Sequence, residues 1–333
     1  MRSCSSSWNL QVSTSKFGTL DTQELTIAPL GPERFQQRWR RSPDRWGASG
    51  LFPETSTRRM FTPSELLALL DVHHLDALQE ESYIIRHGHS SLDSTAISRA
   101  ASMLPTAQVQ QLLHSGEPGL VIVDGCVERA QMTTQLSPLS YVCAMLAHAL
   151  RQRSEDSLVL VFFCGQHADA NDDLYGPLGL MRSLLSQLVR LLVYKKWMSD
   201  VAPVWMDRFM STSDLDPMEQ DDENPCLADL CGLFHRLLGV APEGTAVYCL
   251  VDGISHYDQE AMREDYDIVV SSLGNIVSDQ RLGACFKVLM TSPTVVGRFP
   301  SEKPHERLSL RGVRTGGAAF DRAFRAAIRT GGI

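Results

Sequence analysis

Thr245–His256, TAVYCLVDGISH, is the stretch whose reading decides the fold. Ala246–Val251 is a continuous apolar run, too short for a buried helix, rich in β-branched and aromatic residues and flanked by Gly244 and Gly253. Such a run reads as a strand buried on both faces, as in a parallel sheet covered by helices. It ends in Asp252-Gly253. In open parallel sheets ligands bind at the carboxyl ends of the strands, where an aspartate can hold hydrated magnesium beside phosphate. Asp-Gly is equally a favoured turn pair, and Asp can cap the next helix.

Outward from this strand, the chain alternates between apolar runs and helical patterns. Gly119–Val123 (GLVIV) leads into a second Asp-Gly pair, Asp124-Gly125. Ser157–Cys164 (SLVLVFFC) and Phe286–Met290 read as further buried strands, and Arg307–Leu310 as a last short one. Between them lie the helical patterns Pro138–Arg151 with Ser137 as N-cap, Leu178–Tyr194, Leu227–Leu238 and Gln259–Ile276. Upstream, Thr62-Pro63-Ser64-Glu65 is a capping box that starts a helix over Pro63–Asp71, and another helix begins near Thr106 and stops at Gly116. This order predicts a three-layer α/β fold around a parallel sheet of about five strands. The expected organisation is a poorly ordered region over residues 1–60, rich in Ser, Arg, Pro and Gly, and a helical linker over 61–105. The α/β domain then spans 106–311, and 312–333 is a flexible or helical tail.

Composition removes several classes of function. A net charge of −8 in 333 residues argues against a broad nucleic-acid or anionic-membrane surface. Runs such as Leu158–Cys164 fall well short of the roughly 18 apolar residues that a membrane span needs. The eight cysteines form no C-x-x-C pair, and Cys143, Cys164, Cys249 and Cys285 sit inside apolar runs, as reduced thiols of a cytoplasmic protein do. Neither His73-His74 nor His87 and His89 has partners at zinc-ligand spacing.

Four pieces in order carry a family resemblance: Gly119–Gly125, Leu158–Gly165 with LGLMRSLLSQL at Leu178–Leu188, VYCLVDGI at Val247–Ile254, and KVLMTSP at Lys287–Pro293. Over about Val109–Leu310 the chain resembles the NACHT-like, STAND-class P-loop NTPases abundant in filamentous fungi. The resemblance implies a P-loop NTPase type of sheet. Its pieces would be a phosphate-loop strand ending at Gly125, a magnesium-site strand ending at Asp252, and a sensor strand ending at Thr291 and Ser292. The ligand it implies is ATP or GTP with magnesium.

The chain departs from that pattern at each catalytic element. A working phosphate loop reads G-x-x-x-x-G-K-[ST]: backbone N–H groups wrap phosphate, lysine reaches the terminal phosphates and the hydroxyl binds magnesium. Aligned from Gly125, the final positions are Ala130, Gln131 and Met132, with Glu128 adding negative charge; Arg129 and Thr133 lie near the missing groups but off register. Ser255-His256 replaces the acidic pair expected after Asp252-Gly253-Ile254, with Asp258 a little further on, and Thr291-Ser292-Pro293 lacks the sensor arginine. His256 reads as a solvent-facing loop residue without an orienting partner.

Losing the lysine and hydroxyl together costs affinity and rate. The expectation is therefore a non-catalytic pseudo-NTPase that works through protein partners. Its vestigial site comprises Gly125, Arg129, Ala130, Gln131, Thr133, Asp252, Thr291 and Ser292. Two alternatives stay open: a residual ATP/GTP binder or slow NTPase using Asp252 with Arg129 or Thr133, and a haloacid-dehalogenase-like phosphatase with Asp124 as nucleophile and Thr291 or Ser292 binding phosphate. The second lacks the aspartate needed at position 126, which is Cys126. Candidate contact surfaces are the acidic run Asp214–Glu223 and the helix end with Val193, Tyr194 and Trp197, which is either an apolar edge or core.

Overall fold

The structure, a computed structural model, describes residues 58–72, 76–125, 136–153, 156–199, 204–207, 226–294 and 306–312. The phosphate-loop positions Arg129, Ala130, Gln131 and Thr133, with Cys126, Glu128 and Met132, lie outside the described residues. So do Asp214–Glu223, nearly all of the N-terminal region and the tail beyond Gly312.

Five strands form one parallel sheet: β2 (Gly119–Asp124), β3 (Leu158–Phe163), β5 (Ala246–Asp252), β6 (Cys285–Ser292) and β7 (Glu306–Ser309). Their order across the sheet is β3-β5-β6-β2-β7. The α/β class and the five parallel strands match the sequence expectation. Apart from their first residues, β2 and β5 are buried throughout, as is all of β3 and β6, which explains why these strands read as unbroken apolar runs.

Alternate residues feed two cores. Leu120, Ile122, Phe162, Val251 and Met290 pack with α1 (Pro63–Leu70), α6 (Gly176–Tyr194), α7 (Leu227–Leu238) and α8 (Arg263–Val277). Val121, Val123, Val161, Leu250 and Leu289 pack with α2 (Asp76–Ser91), α3 (Ser94–Ala101), α4 (Ala107–His114) and α5 (Pro138–Arg153). Leu184 and Leu188 of α6 are wholly buried. Truncating such a leucine to alanine costs about 2–5 kcal/mol.

The helices over Pro63–Leu70, Asp76–Ser91 and Ser94–Ala101 contribute side chains to these cores. Thr62 and Glu65 form the expected capping box of α1. Arg182 of α6 is buried and donates to the carbonyls of Leu70, Asp71 and Asp173 at 2.8, 3.0 and 2.8 Å, which fastens the end of α1. The α2 and α3 helices were not anticipated individually. Arg58–Met60, counted with the N-terminal region on sequence, join Phe61 in β1 (Arg58–Phe61), which pairs antiparallel with β4 (Val204–Asp207).

Side chains also close the open edge of the sheet. Gln187 accepts from Val161 N at 3.0 Å and donates to Val161 O at 2.8 Å, so a side-chain amide stands in for a neighbouring strand. At the other end of the sheet, the Tyr248 hydroxyl donates to Leu113 O at 3.1 Å and Lys287 Nζ bonds Ser115 O, placing a cation at the C-terminus of α4.

Two helices differ from expectation at their starts. The α6 helix begins two residues early, at Gly176 with Pro177 in its first turn. The predicted start at Gln259 is replaced by two 3₁₀ turns, Ile254–His256 and Glu260–Met262, before α8 begins at Arg263. Tyr194 at the end of α6 is 72% exposed, whereas Val193 and Trp197 pack against the core. Among the described residues, no helix is long and apolar enough to cross a membrane.

Candidate functional site

Asp252 ends β5 on the α5 side of the sheet and is 1% exposed. Thr291, at the same end of neighbouring β6, donates its hydroxyl to Asp252 Oδ1 at 2.5 Å. The Ser140 hydroxyl is a second hydrogen-bond partner of this carboxylate. Burial lifts the Asp252 carboxyl to about 6; the Ser140 and Thr291 hydroxyls pull it back only in part. Among the described residues, two neutral hydroxyls and no cation thus meet a buried carboxylate. Cys143 lies behind Thr291, with Sγ 3.8 Å from the hydroxyl, and burial, reinforced by the Asp252 charge, pushes its thiol far up.

Ser140 is placed by the start of α5. Ser137 caps this helix: the Ser140 N–H donates to Ser137 Oγ at 3.0 Å and the Ser137 N–H to Ser140 Oγ at 3.2 Å, a reciprocal cap before Pro138 opens the first turn. The hydroxyl that meets Asp252 is therefore Ser140, fifteen residues after Gly125 (140 − 125), and not the residue at the motif position, Met132. The sequence did show the late start through Ser137-Pro138. It gave no sign that the third helical residue would face Asp252.

The other Asp-Gly turn is built differently. Asp124 follows Leu120 and Ile122 to the opposite face, is 2% exposed, and accepts from Arg307 Nε of β7 at 2.5 Å. The Gly125 N–H donates to Ser292 O at 2.7 Å, and Arg99 of α3 donates to Gly125 O at 3.1 Å and to Leu310 O at 3.3 Å. The Gly125 N–H is thus spent on the sheet and does not point at a ligand. A Cβ on Gly125 would lie 2.8 Å from Leu139 Cδ1 and 3.0 Å from Pro293 O, so this glycine permits a close approach.

The structure brings Asp252 and Thr291 together, with Gly125 at the adjacent strand end. Ser292 is fully buried, but its hydroxyl turns back to Thr294 O and away from Asp252. His256 sits in the 3₁₀ turn after Gly253, whose φ of +75° suits glycine. In place of the expected solvent-facing histidine, the ring is half-buried against Gly253, and burial lowers its basicity, so it is neutral at pH 7. The phosphatase alternative gains nothing here, because Asp124 is buried and ion-paired where a nucleophile must be accessible.

One polar cluster went unnoticed in the sequence. His167, in the turn after β3, is 6% exposed; it places Nδ1 2.9 Å from Asp172 and Nε2 2.9 Å from Glu80 of α2, and stacks on Phe162. Burial opposes its charge, but the Asp172 and Glu80 carboxylates outweigh it and lift the imidazole to about 9. Nδ1 is hydrogen-bonded to Asp172 and Nε2 faces Glu80 at ion-pair distance, so the imidazole is a structural cation and not a base. Among the described residues, no group of three or more His, Cys, Asp or Glu side chains is placed to hold a metal ion.

No protein-family model, no curated protein and no solved structure matches the chain.

Proposed function

We propose that this chain is a non-catalytic, NACHT-like protein of the P-loop NTPase type that acts in the cytoplasm as a regulatory or scaffold protein, through protein partners. The strand order supports this reading. With β6 between β2 and β5, the carboxyl ends of the phosphate-loop-like, sensor-like and magnesium-site-like strands lie side by side in the middle of the sheet, where ligands of parallel sheets bind. The observation that carries the non-catalytic part is the state of Asp252: buried, raised to about 6, and occupied by the Thr291 and Ser140 hydroxyls. The committed Gly125 N–H and the neutral His256 in place of an acid point the same way.

One observation favours a second reading, residual binding of ATP or GTP with magnesium. Ser140 lies on the first turn of the helix after β2 with its hydroxyl on Asp252, and together these offer two hard oxygen ligands. They would hold a hydrated magnesium once Thr291 gave up its bond; the ion would neutralise phosphate charge, and Arg129 or Thr133 would supply the loop contacts.

Calorimetric titration with ATP and with GTP in magnesium, alongside a phosphate-release assay, separates the two readings. The expected result is no binding heat and no release above the blank. Magnesium-dependent binding that vanishes in Asp252→Ala would replace the first reading with the second.

A further inference from the structure

The α2 helix is held to the molecule in an unusual way. Of its sixteen residues, Ile84 is the one fully buried large apolar side chain among those described, and Leu78 and Tyr83 are each 44% exposed. Ile84, with the partly buried Ala77 and Ile85, packs into the core beneath α5, and charge fastens the rest. Glu80 reaches the buried His167 on the turn after β3. Glu81, 4% exposed, pairs with Arg151 and lies 3.4 Å from His148 of α5. Gly88 also passes so close to α5 that a Cβ there would lie 2.5 Å from Tyr141 Cδ2.

This is the opposite of α6, whose buried face carries Leu180, Leu184, Leu185, Leu188 and Leu192. Apolar burial adds up over area, whereas a buried ion pair roughly balances attraction against desolvation and contributes little net stability for its size. A helix held by one fully buried large apolar side chain, two acids and a glycine contact opens at lower free energy than the sheet beneath it.

We propose that α2 is a detachable strap: it undocks from α5 and the β3 turn as a unit while the five-stranded sheet stays folded, and its undocking loosens the first turn of α5. That turn carries Tyr141, the residue under Gly88, and Ser140, whose hydroxyl meets Asp252. The groups facing the strap's charges are His167 and, through it, Asp172 on the β3 side, with Tyr257 and Cys164 close by, and Arg151 and His148 on the α5 side. The device depends on how α2 is held and stands whether or not the strand ends bind nucleotide.

Hydrogen exchange read by mass spectrometry on the full chain at pH 7 tests the proposal. Peptides within Asp76–Ser91 are expected to be at least about tenfold less protected than β5 peptides, with residues 138–144 intermediate. In Gly88→Ala, protection of α2 and of 138–144 falls by about another tenfold while β5 is unchanged, although alanine is the better helix former. Glu80→Gln acts in the same direction, and Tyr83→Ala, on the exposed face, does not. If α2 and β5 exchange at the same rate in the unsubstituted chain, the helix opens only with the whole fold and the strap is overturned. The same holds if Gly88→Ala leaves α2 protection unchanged, or if 138–144 stays as protected as β5 when α2 opens. The measurement on the unsubstituted chain requires no variant to fold.

Discussion

Asp124-Gly125 and Asp252-Gly253 are the same dipeptide at the same end of the same sheet, yet the fold treats them in opposite ways. Asp124 faces the α8 side and meets the Arg307 guanidinium; Asp252 faces α5 and meets two neutral hydroxyls. The glycines differ too: Gly253 provides a φ of +75°, whereas Gly125 provides room beside Leu139 and Pro293. A buried carboxylate with a cation at hand has its charge compensated, and one without a cation is left at a cost. Among the described residues, Asp252 is the one without a cation, and buried groups poised near neutral pH cluster at functional positions.

The hardest break of this contrast is to remove the cation. Arg307→Ala leaves Asp124 buried without its guanidinium partner, and a loss of about 2–4 kcal/mol is expected, discounted because Arg307 is 36% exposed. A urea titration gives the value directly. A change below about 0.5 kcal/mol would mean that the pair contributes no more than an ordinary surface ion pair.

Asp252 should respond with the opposite sign. Its folded carboxyl keeps its proton up to about pH 6, whereas an unfolded aspartate releases it near 3.8, so between these values the folded state binds more protons. Stability therefore falls as pH rises through that window and levels off above it. Asp252→Asn keeps an oxygen for Thr291 and removes the buried charge. It is expected to be more stable by about 1–3 kcal/mol at pH 8 and to lose its share of the pH slope between 4 and 6. His167 contributes in a separate window. Its stabilisation is full below its ordinary 6.5 and is lost as pH rises through about 9, so urea midpoints from pH 4 to 10 separate the two residues. A less stable Asp252→Asn would show that the hydroxyl cage favours the ionised carboxyl.

How much of this contrast the sequence carried follows from what each feature depends on. Strands buried on both faces are local runs, and β2, β3, β5 and β6 were legible within about two residues at each end. The capping box at Thr62 and the Ser137 cap are local as well. The partners of the two aspartates are not local. Arg307 lies 183 residues from Asp124, and Thr291 lies 39 from Asp252. Which strands become neighbours depends on crossovers that an apolar run does not encode. Ser140 escaped notice because the phosphate-loop motif fixes attention at Met132, whereas the N–H groups of α5 select Ser137 as their cap and so set which residue faces the sheet. The His167 cluster joins α2 to a turn 87 residues away (167 − 80) and has no local signature at all.

The finest test of the comparison lies in the two glycines, since alanine probes each for a different reason. At Gly253 the main obstacle is backbone conformation, since the nearest neighbour of an added Cβ is the His256 side chain at 3.1 Å. Gly253→Ala is expected to cost about 1 kcal/mol through the left-handed φ, and Gly253→Asn less, because asparagine visits that region more readily. At Gly125 the obstacle is space. Gly125→Ala presses on Leu139 Cδ1, which can swing aside, and on Pro293 O, which is backbone and must shift by a few tenths of an ångström. A similar cost of about 1 kcal/mol is expected there, but asparagine should be worse than alanine because it is larger. The alanine–asparagine order therefore reverses between the sites, and thermal melts of the four variants read it directly. If asparagine ranks the same way at both, the two turns share one constraint, and only the partners of their aspartates distinguish them.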